Sequence, residues 1–357
     1  MKTVKRLDAL TSLRFFAALV VVLGHCGGLA FASMPFWFHG LMQSGYQMVR
    51  FFFVLSGFVL AYSSYTPGDK AIRNGAIQFW KNRFARIYPA YFLALLIALP
   101  VFLHGVSNGG IPRKDAFLAL TFVPLLLQSW GDHDLAAAIN IPAWSLSVEM
   151  FFYALFPMVI RIAAAHRSLF LLGACGLVYL DKCCQVWHAY WPPNHLGSFA
   201  AGVIAGLWFR ESTLQPKRAA LYLTAVTVIG LLCFQSRLPA IASSPIVLVP
   251  LFAVLITVAA SCAGNLKFLE SKLLVLLGDA SYSLYILHWP VWYLYISVLR
   301  RMKLSEGEPA SLGLFLVAIV ALSIACYTFV ETPSRKRILK MLANTRELKP
   351  QTISQSN

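Results

Sequence analysis

The stretch Leu10-Thr-Ser-Leu-Arg14-Phe-Phe-Ala-Ala-Leu-Val-Val-Val-Leu-Gly-His25-Cys26 carries an arginine and a histidine inside an apolar run. Ten residues separate the two. On a helix rising about 1.5 Å per residue, their side chains stand roughly 16 Å apart along the axis. An ionisable group in hydrocarbon costs about 2.5–3.5 kcal/mol on insertion scales, so two in one segment point to use rather than accident. The run also sets the class of the protein, because it is one of many.

The 357 residues are 59% hydrophobic and 12% charged, with mean hydropathy +0.68. This excess of apolar residues predicts an all-α polytopic membrane protein rather than a soluble domain. Apolar runs fall near 9–29, 44–64, 86–104, 116–130, 147–165, 168–180, 195–209, 219–235, 244–262, 279–299 and 311–332. The fourth has Pro124 in its middle and is too short for a span of about 20 residues. Loop charge arbitrates. If the fourth run does not cross, 21 Lys and Arg lie on the cytoplasmic side and 7 outside, with Arg14 and Arg50 within spans. If it crosses, that bias collapses. The expectation is about ten transmembrane helices, both termini cytoplasmic, and a short or re-entrant extra segment within 105–146. Residues 1–340 form the membrane domain, and 341–357 a short polar cytoplasmic tail.

The formal charge of +16 would suit a nucleic-acid partner. Its placement in short loops between apolar runs excludes that reading and fits membrane lipids instead. The seven cysteines show no disulfide or metal-ligand spacing and read as small hydrophobes. Lys2, Lys5, Arg6, the first apolar run and Ala30-Phe-Ala32 also resemble a cleavable signal peptide. Retention of the segment is the preferred reading here.

The residues able to do chemistry lie within the spans. His25 and Glu149 are placed at similar depth, where a carboxylate could fix the imidazole tautomer; a helix-capping Glu149 is the plainer alternative. In Gln78-Phe-Trp-Lys-Asn-Arg83-Phe-Ala-Arg86-Ile-Tyr-Pro89, aromatics alternate with cations. This reads as an interfacial helix, or as a helix whose Arg83 and Arg86 share a face and clamp a polyphosphate. Arg50 precedes Phe51-Phe-Phe-Val-Leu-Ser56-Gly57-Phe58. Ser56-Gly57 would admit a thin ligand, although helix packing is the commoner use of such a pair. Ser281, Tyr285 and His288 share one helical face, with Pro290 freeing a carbonyl nearby. His288 is read equally as a buried structural histidine or as part of the site. Asp279 reads as a helix cap and Glu331 as an interfacial anchor at the end of the last span. No metal site is expected.

Six ordered motifs resemble the membrane acyltransferase 3 family: Leu13-Arg14 with His25, Phe52–Phe58, Arg83–Pro89, Trp144-Ser-Leu-Ser-Val-Glu149, Ser281–His288, and Val330-Glu-x-Pro333. They run from about Leu7 to Arg337. The resemblance implies an O-acyltransferase of a bacterial cytoplasmic membrane. Its donor would be cytoplasmic acyl-CoA, with acetyl-CoA expected. Its acceptor would be an extracytoplasmic glycan or lipid-linked saccharide. It carries catalysis onto His25, as base or acyl carrier, with essential roles for Arg14, Arg83, Arg86 and Glu149. A proton-coupled exporter is the alternative, with His and Glu as its relay.

Overall fold

The computed structural model describes residues 5–28, 31, 34–66, 71–73, 75–183, 189–212, 216–305 and 308–347. Lys2, Ala30 and Ala32 of the possible signal segment, Lys70, Cys184 and the tail from 348 lie outside the described residues. The chain folds as α1 (Asp8–Cys26), α2 (Phe36–Met42) and α3 (Gly45–Ser64). A two-residue antiparallel ladder, β1 (Tyr65–Thr66) with β2 (Ala71–Ile72), leads to α4 (Gly75–Ser107). Then come α5 (Arg113–Phe122), α6 (His133–Ala137), α7 (Trp144–Ala165), α8 (Arg167–Cys183) and α9 (Leu196–Glu211). The remainder is α10 (Arg218–Cys233), α11 (Pro245–Ser261), α12 (Lys272–Asp279), α13 (Ser281–Arg301), α14 (Pro309–Cys326) and α15 (Thr332–Glu347).

Ten of the eleven apolar runs each coincide with one helix. The fourth does not. α5 stops at Phe122, the chain reverses through Leu126 at a φ of 58°, and only a 3-10 turn follows at Gln128–Trp130. Ten residues of α5 rise about 15 Å, half of a hydrocarbon core. Among the described residues, five helical stretches are long and apolar enough to cross a membrane: Asp8–Cys26, Gly45–Ser64, Gly75–Ser107, Ile141–Ala165 and Pro309–Ala343. On α10, Tyr222, Leu223, Val226 and Ile229 form an apolar face that is 53–70% exposed. Such a face needs lipid, and the protein is an integral membrane protein.

Two expected boundaries move. The interfacial stretch and the third span are one 33-residue helix, α4, which continues through Pro89 and Pro100. The last span does not end at Glu331-Thr-Pro333. It widens into a π turn over Tyr327–Glu331 and continues as α15, so the helix extends past residue 341 into the expected tail. Pro333 has no N–H to offer the carbonyl of Phe329, and the wider turn absorbs that defect. Cys26, Cys233, Cys262 and Cys326 are buried and unbridged, whereas Cys175 stands exposed on α8.

Two other prolines leave carbonyls that become cross-links. Pro157 frees the carbonyl of Tyr153, and Trp80 Nε1 donates to it at 2.9 Å. Pro290 frees the carbonyl of Ile286, and Asn140 Nδ2 donates to it at 3.0 Å. In an apolar interior an unpaired carbonyl costs about 1–3 kcal/mol, so each proline creates a docking point for the neighbouring segment.

The closest helix contact is α3 on α9. A Cβ added to Gly202 would sit 1.9 Å from the Val54 carbonyl oxygen, and one added to Gly57 would sit 2.2 Å from that of Phe199. Small residues here let two backbones meet, which gives dispersion contact that lipid cannot replace. Gly57 is thus occupied in helix packing, the commoner of its two expected uses, and is not among the walls of the cavity described below. Gly202→Leu should lower the melting temperature in detergent, since overpacking costs about 1–3 kcal/mol or more. Gly173→Leu on α8, where an added Cβ meets nothing within 4 Å, should leave it unchanged.

Candidate active site

The bundle encloses a cavity of about 460 Å³ at the end where α1 and α4 begin and α14 finishes. Its walls carry Arg14 from α1, Ser56 from α3, Arg83 and Arg86 from α4, Glu149 and Tyr153 from α7, and Tyr282 and Tyr285 from α13. Glu331, from the π turn, and Arg335, from α15, also line it. The i,i+3 spacing on α4 places both arginines on one face. Trp80 and Phe84 on the same helix are each more than 40% exposed, and Trp80 also reaches α7 through its Nε1.

The charges in the cavity are unequal. Glu149 accepts hydrogen bonds from Ser56 Oγ at 3.0 Å and from the Tyr153 hydroxyl. Glu331 is buried and accepts from Ser283 Oγ at 3.1 Å. Among the described residues, none of Arg14, Arg83, Arg86 or Arg335 has a carboxylate within ion-pair distance. Arg83 lies with its guanidinium carbon 5.5 Å from the Phe79 ring centre and 5.8 Å from that of Tyr153, and its Nε has no partner. Arg83 is thus held by rings rather than by a carboxylate, and planar N–H forks of this kind suit an anion such as phosphate.

The cavity also has charges of both signs at its N-terminal rim. Lys5 and Arg6 line it, with Arg6 paired to Asp279 at 2.8 Å and to Asp8 at 2.6 Å. Asp279 is therefore an ion-pair partner rather than a helix cap; the residue preceding α13 is Ala280, which has no capping side chain. Glu331 is likewise a cavity residue and not an interfacial anchor.

At the far end, Tyr285 closes the cavity against the start of α7. Its hydroxyl lies 2.8 Å from Ser145 Oγ and donates to the Pro142 carbonyl at 3.1 Å. His25 is not among the cavity walls. It sits exposed in the last turn of α1, and its Nδ1 is 2.9 Å from Nε2 of fully buried His288. The Trp289 ring meets it edge-on at 5.3 Å. The expected His25–Glu149 pair is not formed. Glu149 faces the arginine cavity, because its side chain projects with Tyr153, one helical turn later, toward Ser56. That i,i+4 pair was visible in the sequence. Arg335 was not, because it lies beyond the expected end of the last span.

Arg50 is remote from the cavity. It pairs with Asp181 at 3.2 Å, donates to Gln47 Oε1 at 3.0 Å and stacks 4.6 Å over Tyr46. Both charged side chains are under 10% exposed. Asp181 was missed because it lies in a short outer loop by sequence, whereas α8 carries it to α3.

A sequence profile described as an acyltransferase domain matches residues 7–328. The chain belongs to this acyltransferase family. Among its relatives, acyltransferase MdmB of Streptomyces mycarofaciens is 29% identical, over 96% of this chain and 94% of its own. The exopolysaccharide production protein ExoZ of Rhizobium meliloti is 26% identical, over 84% of this chain and 94% of its own. O-acetyltransferase OatA of Staphylococcus aureus is 24% identical over 94% of this chain, which spans 58% of OatA's length. No solved structure matches. The protein is a membrane-bound acyltransferase, and the exporter alternative is set aside.

Removing one member of a buried ion pair costs about 3–5 kcal/mol, whereas replacing both by apolar groups is often close to neutral. Arg50→Met or Asp181→Asn should lower the melting temperature sharply. The double variant Arg50→Met/Asp181→Leu should recover most of the loss in the same thermal assay.

Proposed function

We propose that the protein transfers an acyl group, preferably acetyl, from cytoplasmic acyl-CoA to a hydroxyl of an extracytoplasmic glycan or lipid-linked saccharide. The observation that carries this reading is the set of guanidinium groups without carboxylate partners around one cavity, at the opposite end of α1 from an exposed histidine. Arg14, Arg83, Arg86 and Arg335 suit the phosphates of the donor, which binds as a polyanion. The names of ExoZ and OatA, an exopolysaccharide protein and an O-acetyltransferase, favour a glycan hydroxyl and an acetyl group. Ten helices in the arrangement expected from loop charge, in an inner membrane, would set the arginine cavity toward the cytoplasm and His25 outward.

The roughly 16 Å between Arg14 and His25 then becomes a path for the thin pantetheine arm. The arm runs along Ser56 on α3 and past the ring of Tyr285. At His25 the acceptor oxygen attacks the thioester carbonyl, while the imidazole nitrogen takes its proton. The C–S bond breaks, and the proton passes to the departing thiolate. In the covalent variant His25 attacks first and carries the acyl group to the acceptor. Glu149, fixed by Ser56 and Tyr153, acts in the donor cavity rather than on the imidazole.

Mass spectrometry of surface glycans from cells with and without the gene tests the reading. One acyl increment should be missing at a defined sugar in the deletion strain. His25→Ala, present at wild-type level in the membrane, should fail to restore it. Full restoration by that variant would refute the catalytic assignment. Arg83→Ala and Arg86→Ala should raise the KM for acetyl-CoA at least about tenfold each, since a hydrogen bond to a charged group contributes about 1.5–3 kcal/mol.

A further inference from the structure

His288 is fully buried in the middle of α13, and each of its ring nitrogens has a polar contact. Nδ1 is 2.7 Å from the Tyr285 carbonyl oxygen. A carbonyl only accepts, so Nδ1 of His288 carries the hydrogen. In the neutral ring Nε2 is then an acceptor, and it faces His25 Nδ1 at 2.9 Å. His25 must donate from Nδ1. The reverse tautomer would set two lone pairs against each other. The remaining lone pair of His25 is therefore on Nε2, at the edge of the ring turned away from His288.

The relay is rigidly seated. The rings of His25 and His288 are nearly parallel, 9° apart, with centres 5.2 Å apart. Tyr285, whose carbonyl starts the relay, is anchored by its hydroxyl to Ser145 and Pro142. Asn140 holds the adjacent Ile286 carbonyl, the one that Pro290 leaves open. The backbone acceptor that orders His288 is thus fixed from two directions.

We propose that His288 is the positioning residue for His25. It selects the Nδ1–H tautomer and leaves Nε2 as the reacting atom, whether as base or as acyl carrier. A neutral imidazole backed by a main-chain carbonyl does here what a carboxylate does in many triads, without placing a second charge in the membrane. The assignment of a role in catalysis rests on His25 being the reacting group.

The test has two independent readouts. In full-length protein labelled with [13C,15N]histidine and held in lipid, the His25 signals, assigned by their loss in His25→Ala, should show the Nδ1–H pattern. His288→Gln should keep that pattern, because Gln Oε1 reaches the position of Nε2 and accepts. His288→Asn and His288→Leu should lose it, because neither offers an acceptor there. An Nε2–H pattern for His25 in the unmodified protein would overturn the proposal without reference to activity. In cells, the rate of appearance of the acyl increment should stay within about fivefold of wild type for His288→Gln. It should fall about 100-fold for His288→Asn and His288→Leu, the low end of what a positioned base contributes. Equal rates for Gln and Leu variants at equal membrane abundance would also overturn it. Unimpaired transfer by His25→Ala, with the tautomer pattern intact, would instead remove the catalytic reading while leaving the relay in place.

Discussion

Nineteen residues of unbroken helix in α1 hold Arg14 and His25 at a set separation, and the surrounding helices are arranged on that rod. Its first half meets the arginine cavity. Its last turn meets His288. Because the helix is continuous, neither end can approach the other, so a ligand that engages both must be long and thin. An acyl thioester with a polyphosphate at its far end has that shape. The two ends also differ chemically: a cluster of guanidinium groups lines one, and a hydrogen-bonded imidazole pair sits at the other.

The hydrocarbon setting imposes a second constraint, which the prolines illustrate. Each proline inside a helix removes a donor, and the orphan carbonyl needs a partner that lipid cannot supply. Trp80 and Asn140 supply it for Tyr153 and Ile286. Those two cross-links tie α4 to α7 beside the arginine cavity, and the loop before α7 to α13 beside the histidine pair. The same economy governs α3. One face is closed against α9 by Gly57 and Gly202, and another, with Phe52 and Ser56, is left as cavity wall. Tight packing on one side of that helix is what lets the other side stay open.

Much of the site was legible from side-chain periodicity. Arg83 and Arg86 share a face by an i,i+3 step, and Ser281, Tyr285 and His288 by i,i+4,i+7 steps. The structure keeps both groupings. Glu149 could not be placed in the same way. Its depth matched His25, but depth does not fix azimuth, and its face of α7 turns to Ser56. Gly57 carried two compatible readings, and only the distance to the Phe199 carbonyl decides between them. Asp181 looked like a loop charge because it follows the sixth apolar run, which ends at 180, and Arg335 because Ser334, Lys336 and Arg337 beside it are polar.

Hydropathy, proline and loop charge can be read along the chain, and they alone make it helical, apolar enough for a membrane and broken at its fourth run. The sequence by itself also determined which side chains could do chemistry, since few ionisable residues survive inside apolar runs without a reason. Tertiary structure decided who meets whom: His25 with His288, Glu149 with Ser56 and Tyr153, Arg50 with Asp181. Those pairings depend on the rotation of each helix about its own axis and on which helices are neighbours. Both are set by small-residue contacts and freed carbonyls distributed along the whole chain, and no single segment contains them.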